Sequence, residues 1–145
     1  KPLLVRISAT DWAEGGTTVD EAVEIARRFK AAGADAVDVS SGEVVSEQKP
    51  IYGRMFQTPF ADRIRNEAGI ATIAVGAILE ADHANSIIAA GRADLCALSR
   101  GFLANPNWPL HEAAKLGYHD IAWPKQYQWG KDWLERQENR PVLQG

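Results

Sequence analysis

The sequence predicts an α/β fold in which short apolar strands alternate with amphipathic helices, and three observations support that class. First, the order strand then helix repeats four times along most of the 145 residues. Second, a segment recurs two repeats apart. Ala32-Gly33-Ala34-Asp35-Ala36-Val37-Asp38-Val39-Ser40-Ser41-Gly42 is echoed, with one extra residue, by Ala90-Gly91-Arg92-Ala93-Asp94-Leu95-Cys96-Ala97-Leu98-Ser99-Arg100-Gly101. Third, the last two apolar runs each end in a glycine-bearing turn, Val75-Gly76-Ala77 and Ser99-Arg100-Gly101. Recurring βα units fit a closed (β/α)8 barrel. An open doubly wound sheet fits less well, because no Gly-x-Gly-x-x-Gly follows any strand.

The elements follow in order. Residues 2–7 read as a buried strand, with Arg6 inside it, and Ser8 to Thr18 as a polar loop. Thr18 or Asp20 can cap a helix that runs to about Ala32, whose apolar face is Val23, Ile25, Ala26 and Phe29, and Gly33 stops it. Residues 35–39 are the second strand. Residues 40–57 form a long loop, and loops of that length inside a compact domain are usually functional. Pro59 suits the first turn of a helix reaching about Ala68. Residues 71–75 form the third strand, Glu80 to Ala90 a helix stopped by Gly91, and residues 94–98 the fourth strand. A helix from about Pro106 to Lys115 follows. Beyond Gly117 the chain becomes aromatic and basic, with three of the five tryptophans, a short helix over 130–138 and a frayed end over 139–145. This tail reads as a surface for packing on a second subunit.

Composition excludes several classes. Charged residues make up 24% and the net charge is −3, which gives no reason to propose nucleic acid or an anionic membrane as partner. No apolar run approaches the roughly 20 residues that span a bilayer. The single cysteine, Cys96, excludes an internal disulfide and fits a reducing, cytoplasmic compartment. Its mid-strand position makes it core rather than nucleophile. His83, His111 and His119 lack metal-ligand spacing, so no metal is expected. Asp35 and Asp94 open their strands, at the stability face of a barrel, and read as structural. Lys1 has no Met before it and is followed at once by a buried-looking strand, so the chain reads as a piece of something longer.

The two turns carry the chemistry. Loops after the last two strands of a (β/α) barrel form phosphate sites. Glycine lets the backbone approach an anion, the first amides of the following helix donate to it, and arginine adds charge and a fork of donors. Gly76, Ser99 and Arg100 are therefore the candidate phosphate ligands. Gly76 alone could be an ordinary turn, and Arg100 could face solvent beside a helix cap. Arg6, inside an apolar strand, either holds an electron-rich group at the barrel mouth or pairs with Asp38 on the next strand. Ser40-Ser41-Gly42 and the loop to Gln57 either line a pocket or make a solvated connection.

Val5-Arg6-Ile7-Ser8, Asp38-Val39-Ser40-Ser41-Gly42, Val75-Gly76, Gly91-Arg92-Ala93-Asp94, Ser99-Arg100 and the Trp-Pro-Lys-Gln-Tyr tail together resemble the C-terminal half of an Old Yellow Enzyme-type ene reductase. The bacterial NADPH dehydrogenase branch is the nearest in pattern. The reductase domain fused to flavin monooxygenases that act on aromatic CoA thioesters is also similar. The resemblance implies the last four βα units of a TIM barrel over residues 1–118, followed by a tail over 119–145. It implies FMN as cofactor and NAD(P)H as co-substrate, with hydride passing through FMN to the carbon β to an electron-withdrawing group of a small-molecule substrate. Arg6 would contact the flavin near its pyrimidine end, where positive charge favours negative charge on the ring. Gly76, Ser99 and Arg100 would bind the phosphate. Relatives often carry Gly where Ser99 stands; serine keeps the backbone donor and adds a hydroxyl. The family's substrate-anchoring His-His or His-Asn pair, proton-donating Tyr and flavin-tuning Cys or Thr lie on earlier strands, so no catalytic residue is assigned here. The implied partners are the missing N-terminal half of the barrel and, in a homo-oligomer, a second subunit. Some relatives send a tail arginine into the neighbouring active site; here Trp129 follows Tyr127, with Arg136 and Arg140 beyond it. The alternatives are another phosphate-binding barrel enzyme, a non-catalytic half-barrel module and an open α/β domain.

Overall fold

The computed structural model describes residues 1–138. The expected frayed end and Arg140 lie outside the described residues. Two compact units divide the chain, Lys1–Leu98 and the residues from Ser99 onward.

The first unit is built on a four-stranded parallel sheet in chain order, β1 (Leu4–Ser8), β2 (Ala36–Ser40), β3 (Ala71–Val75) and β4 (Leu95–Ala97). Helices α1 (Val19–Ala31), α2 (Thr58–Arg63) and α3 (Ala81–Ala89) connect the strands. Sequential parallel order with helices between the strands is the pattern of a partial (β/α) barrel. α1 starts where Thr18 accepts from the Glu21 amide while the Glu21 carboxylate takes the Thr18 amide, a complete capping box. Its Ala22, Val23 and Ala26 are buried against the core that holds Val37, Val39, Ile64, Ala74 and Ile87.

Side chains alternate across each strand, so one face of the sheet packs on the helices and the other does not. Val5, Ile7, Val37, Val39, Ala74 and Cys96 belong to the helix-covered core. The opposite face carries the register row Arg6–Asp38–Ile73–Leu95. This is the face a barrel turns inward.

The structure corrects several expectations. The first strand was expected to be buried, yet Leu4 is 54% exposed because it lies on the uncovered face with Arg6. That strand begins at Leu4 rather than residue 2, since the Leu3 amide is taken by the Asp35 carboxylate at 2.7 Å. The helix from Pro59 widens into a π turn over Ile64–Ala68 before Gly69 ends it. It keeps Ile64 and Ala68 buried, while Arg65 reaches Asp94 at 3.1 Å. The Asp94 carboxylate also accepts from the Thr72 amide, so Asp35 and Asp94 are structural, as expected.

In the second unit, the single helix expected from about Pro106 is preceded by a separate one. The segment forms α4 (Arg100–Ala104) and α5 (Trp108–Lys115), because Pro106 lacks the N–H that a continuous helix needs. A 3-10 turn (Lys125–Tyr127) leads into α6 (Gln128–Glu138), which packs on α5. His119 Nδ1 meets Glu135 at 2.9 Å, and Lys131 donates to the His119 carbonyl. Trp129 and Trp133 are exposed. No helix among the described residues is long and apolar enough to cross a membrane.

Candidate functional site

Arg6 lies on β1, Asp38 and Ser40 on β2, and Gly76 directly after β3. Arg6 stands opposite Asp38 in the strand register, which brings its guanidinium 2.7 Å from Asp38 Oδ2 and 3.2 Å from Ser40 Oγ. The pairing with Asp38 read from the sequence is thus present. It leaves the Arg6 side chain 58% exposed on the uncovered face, so the charge remains presentable. Asp38 Oδ1 is buried and has no donor among the described residues, which suits a polar ligand group at this face.

Gly76 follows β3 directly and adopts φ +105°, a region that L side chains rarely enter. A Cβ there would overlap the Gln57 amide and lie 2.9 Å from Phe56. Glycine is required on both counts. The next residue, Ala77, also has positive φ, at +50°. Two hydrogen bonds bracket this turn: Gln57 Nε2 donates to the Val75 carbonyl at 2.9 Å, and the Met55 amide donates to the Ala77 carbonyl at 3.3 Å.

The long loop, which the structure bounds at residues 41–57, is anchored at several points while Glu43, Val44 and residues 51–54 stay exposed. The Gly42 amide donates to the Thr10 carbonyl and the Lys49 amide to the Trp12 carbonyl. The indole of Trp12 donates to Ser41, and Ser41 to Gln57. Sequence reasoning did not single out Gln57. The signal available was only its place at the end of the long loop, immediately before the Thr58-Pro59 helix start.

Ser99 and Arg100 belong to the second unit. Ser99 is the residue before α4, and both side chains are exposed. The Ser99 hydroxyl makes no capping bond, and the Leu103 amide is bonded to the Ser99 carbonyl. The earlier amides of a helix have no partner within it. Within the described residues of this unit Arg100 has no ion pair. The three histidines and Cys96 form no metal-binding cluster among the described residues. Burial pushes the Cys96 thiol up from its ordinary value, as expected of a core residue.

Residues 1–118 match the profile of the NADH:flavin oxidoreductase / NADH oxidase family. The chain belongs to that family. An NADPH dehydrogenase of Geobacillus thermodenitrificans (strain NG80-2) is 47% identical over 129 residues, covering 89% of this chain and 37% of the relative. The NADPH dehydrogenase of Halalkalibacterium halodurans is 44% identical over 133 residues, 92% of this chain and 38% of that protein. The Listeria innocua NADPH dehydrogenase is 42% identical over 126 residues, with 87% and 37% covered. The chain thus spans well under half the length of these relatives. The family match makes the sheet part of a TIM barrel, with the Gly76 turn directly after the C-terminal end of β3.

Proposed function

We infer that the protein containing this chain is an FMN-dependent NAD(P)H oxidoreductase of the ene-reductase type. Residues 1–118 serve as the C-terminal half of its barrel and 119–145 as a tail for subunit contact. The remaining half of the barrel supplies the catalytic groups that this chain lacks. The chemistry that bound FMN supplies is hydride exchange between NAD(P)H and an activated alkene or an aromatic-CoA-derived substrate.

In this reading the chain's own residues bind and polarise. The turn at Gly76 brings backbone close to the phosphate, Ser99 adds an amide and a hydroxyl, and Arg100 adds charge and a planar fork of donors. Arg6 presents positive charge on the inward face of the sheet, where it favours negative charge on a flavin ring. Asp38 and Ser40 orient its guanidinium, and the Asp38 carboxylate offsets part of its charge. The residues fit such a ligand: the Arg6 side chain is 58% exposed on the face a barrel turns inward, and Asp38 keeps an unpaired carboxylate oxygen beside it.

The observation that carries the reading is the Gly76 turn. Its positive φ and packed surroundings stand at the C-terminal end of a parallel strand in a chain of this family. Arg100→Ala is expected to weaken FMN binding about 10- to 100-fold, the usual worth of a hydrogen bond to a charged group. Titration of the flavin-free protein by flavin fluorescence measures this. An unchanged affinity would remove Arg100 from the phosphate site.

A further inference from the structure

The loops after β1 and β2 and the end of β3 are tied together by one chain of hydrogen bonds whose central link is buried. Trp12 Nε1–H donates to Ser41 Oγ at 2.9 Å, Ser41 Oγ–H donates to Gln57 Oε1 at 2.7 Å, and Gln57 Nε2–H donates to the Val75 carbonyl at 2.9 Å. Trp12 lies in the loop after β1, Ser41 directly after β2, and Val75 at the end of β3. Every donor has one acceptor, so the chain runs in a single direction and sets which way the Gln57 amide faces. Gln57 is 5% exposed and Ser41 9%, so the polar groups are committed to one another rather than to water.

The far end of this chain meets the turn. The Gln57 amide lies where a Cβ of residue 76 would stand, and Phe56 lies beside it. Two consecutive residues with positive φ, Gly76 and Ala77, follow the carbonyl that Gln57 holds. Ala77 pays a steric cost in that conformation and keeps it only because its surroundings determine it. Those surroundings are Gln57 on the Val75 carbonyl and the Met55 amide on the Ala77 carbonyl. A side chain of similar size without an amide would fill the space and leave the Val75 carbonyl unheld.

We propose that Gln57 is a positioning residue for the phosphate end of the ligand. Through the Ser41–Gln57–Val75 chain it locks the Gly76–Ala77 turn in the conformation that receives the anion. Nothing requires Gln57 to touch the ligand. The proposal rests on the FMN reading above and deepens it, by naming what makes the phosphate turn rigid and by linking it to the loops after β1 and β2.

Riboflavin separates the possible outcomes, because it carries the same ring system without the phosphate. The flavin-free whole protein is titrated with FMN and with riboflavin, as wild type and as Gln57→Leu, Gln57→Glu and Ser41→Ala. Gln57→Leu is expected to raise the FMN dissociation constant roughly tenfold and to leave the riboflavin constant within about threefold of wild type. Gln57→Glu should act in the same direction and more strongly, since it loses the donor and adds like charge near the phosphate. Ser41→Ala should show the same pattern, smaller. Equal weakening of both ligands would make Gln57 a general brace of the fold and overturn the proposal, as would no change in either. Should Gln57→Leu fail to fold, the near-isosteric Gln57→Glu carries the test with the same two titrations. A wild type that binds FMN no tighter than riboflavin overturns the phosphate reading itself, and is distinguished because no variant is involved.

Discussion

Arg6 shows how a charged residue is kept in a parallel sheet. Its neighbours in sequence, Val5 and Ile7, pack on the core, while the guanidinium is turned to the other face and held at 2.7 Å by Asp38. That pair is a solvent-facing one, and pairs of that kind add little to stability. Its value here lies in orientation: the carboxylate and Ser40 fix where the charge points. Cys96 is the opposite case. It lies one strand position away from the uncovered face, packs against the core, and has a thiol pushed up by burial. The thiolate is the reacting form. Iodoacetamide at pH 8 is therefore expected to label Cys96 more slowly than a free cysteine, with urea restoring the free rate. Labelling at the free rate in the folded protein would show that the thiol is not held in the core.

Among the elements, α1 gives the clearest test of local stability. The Thr18 and Glu21 capping box satisfies amides that the helix cannot. Thr18→Ala is expected to cost about 1 kcal/mol in urea unfolding. The amide of Thr18, and then its hydroxyl, hold the Glu21 carboxyl below the ordinary glutamate value. A depressed carboxyl contributes stability above its unfolded pKa and loses it as pH falls through the folded one. The difference in stability between wild type and Glu21→Gln should accordingly be present at neutral pH and shrink below about pH 4. A difference that is unchanged across that range would mean the carboxylate is not bonded at the cap. This helix was legible in the sequence because cap, apolar face and stopping Gly33 are all local. The same holds for β3, where the local apolar run over residues 71–75 is the whole strand. The π turn at Ile64–Ala68 was not legible, since it changes the hydrogen bonding of a helix while keeping an apolar spacing that reads as helical. Nor was the support of Gly76. The turn glycine is visible, but Gln57 meets its partners Ser41 and Val75 across 16 and 18 residues, and no local pattern announces that. Asp38 could be named as partner of Arg6 because adjacent parallel strands in sequential order leave few registers to choose from.

On the scale of the whole molecule, the first unit has helices on one face of its sheet and a row of Arg6, Asp38, Ile73 and Leu95 on the other. Leu4 and Leu95, both more than half exposed, mark that second face as one built to be covered. β1 and β4 each have one strand partner among the described residues, so two parallel edges are open to pairing. In the proposed reading both needs are met by the other half of a flavin-binding barrel, and the chain contributes its phosphate end. In that reading flavin mononucleotide is a resident ligand. Mass spectrometry of the whole protein, first native and then denatured, tests it most directly. One FMN per chain is expected, held in the native spectrum and released intact on denaturation. A protein that is free of flavin, and that stays free when saturating FMN is added, would contradict it.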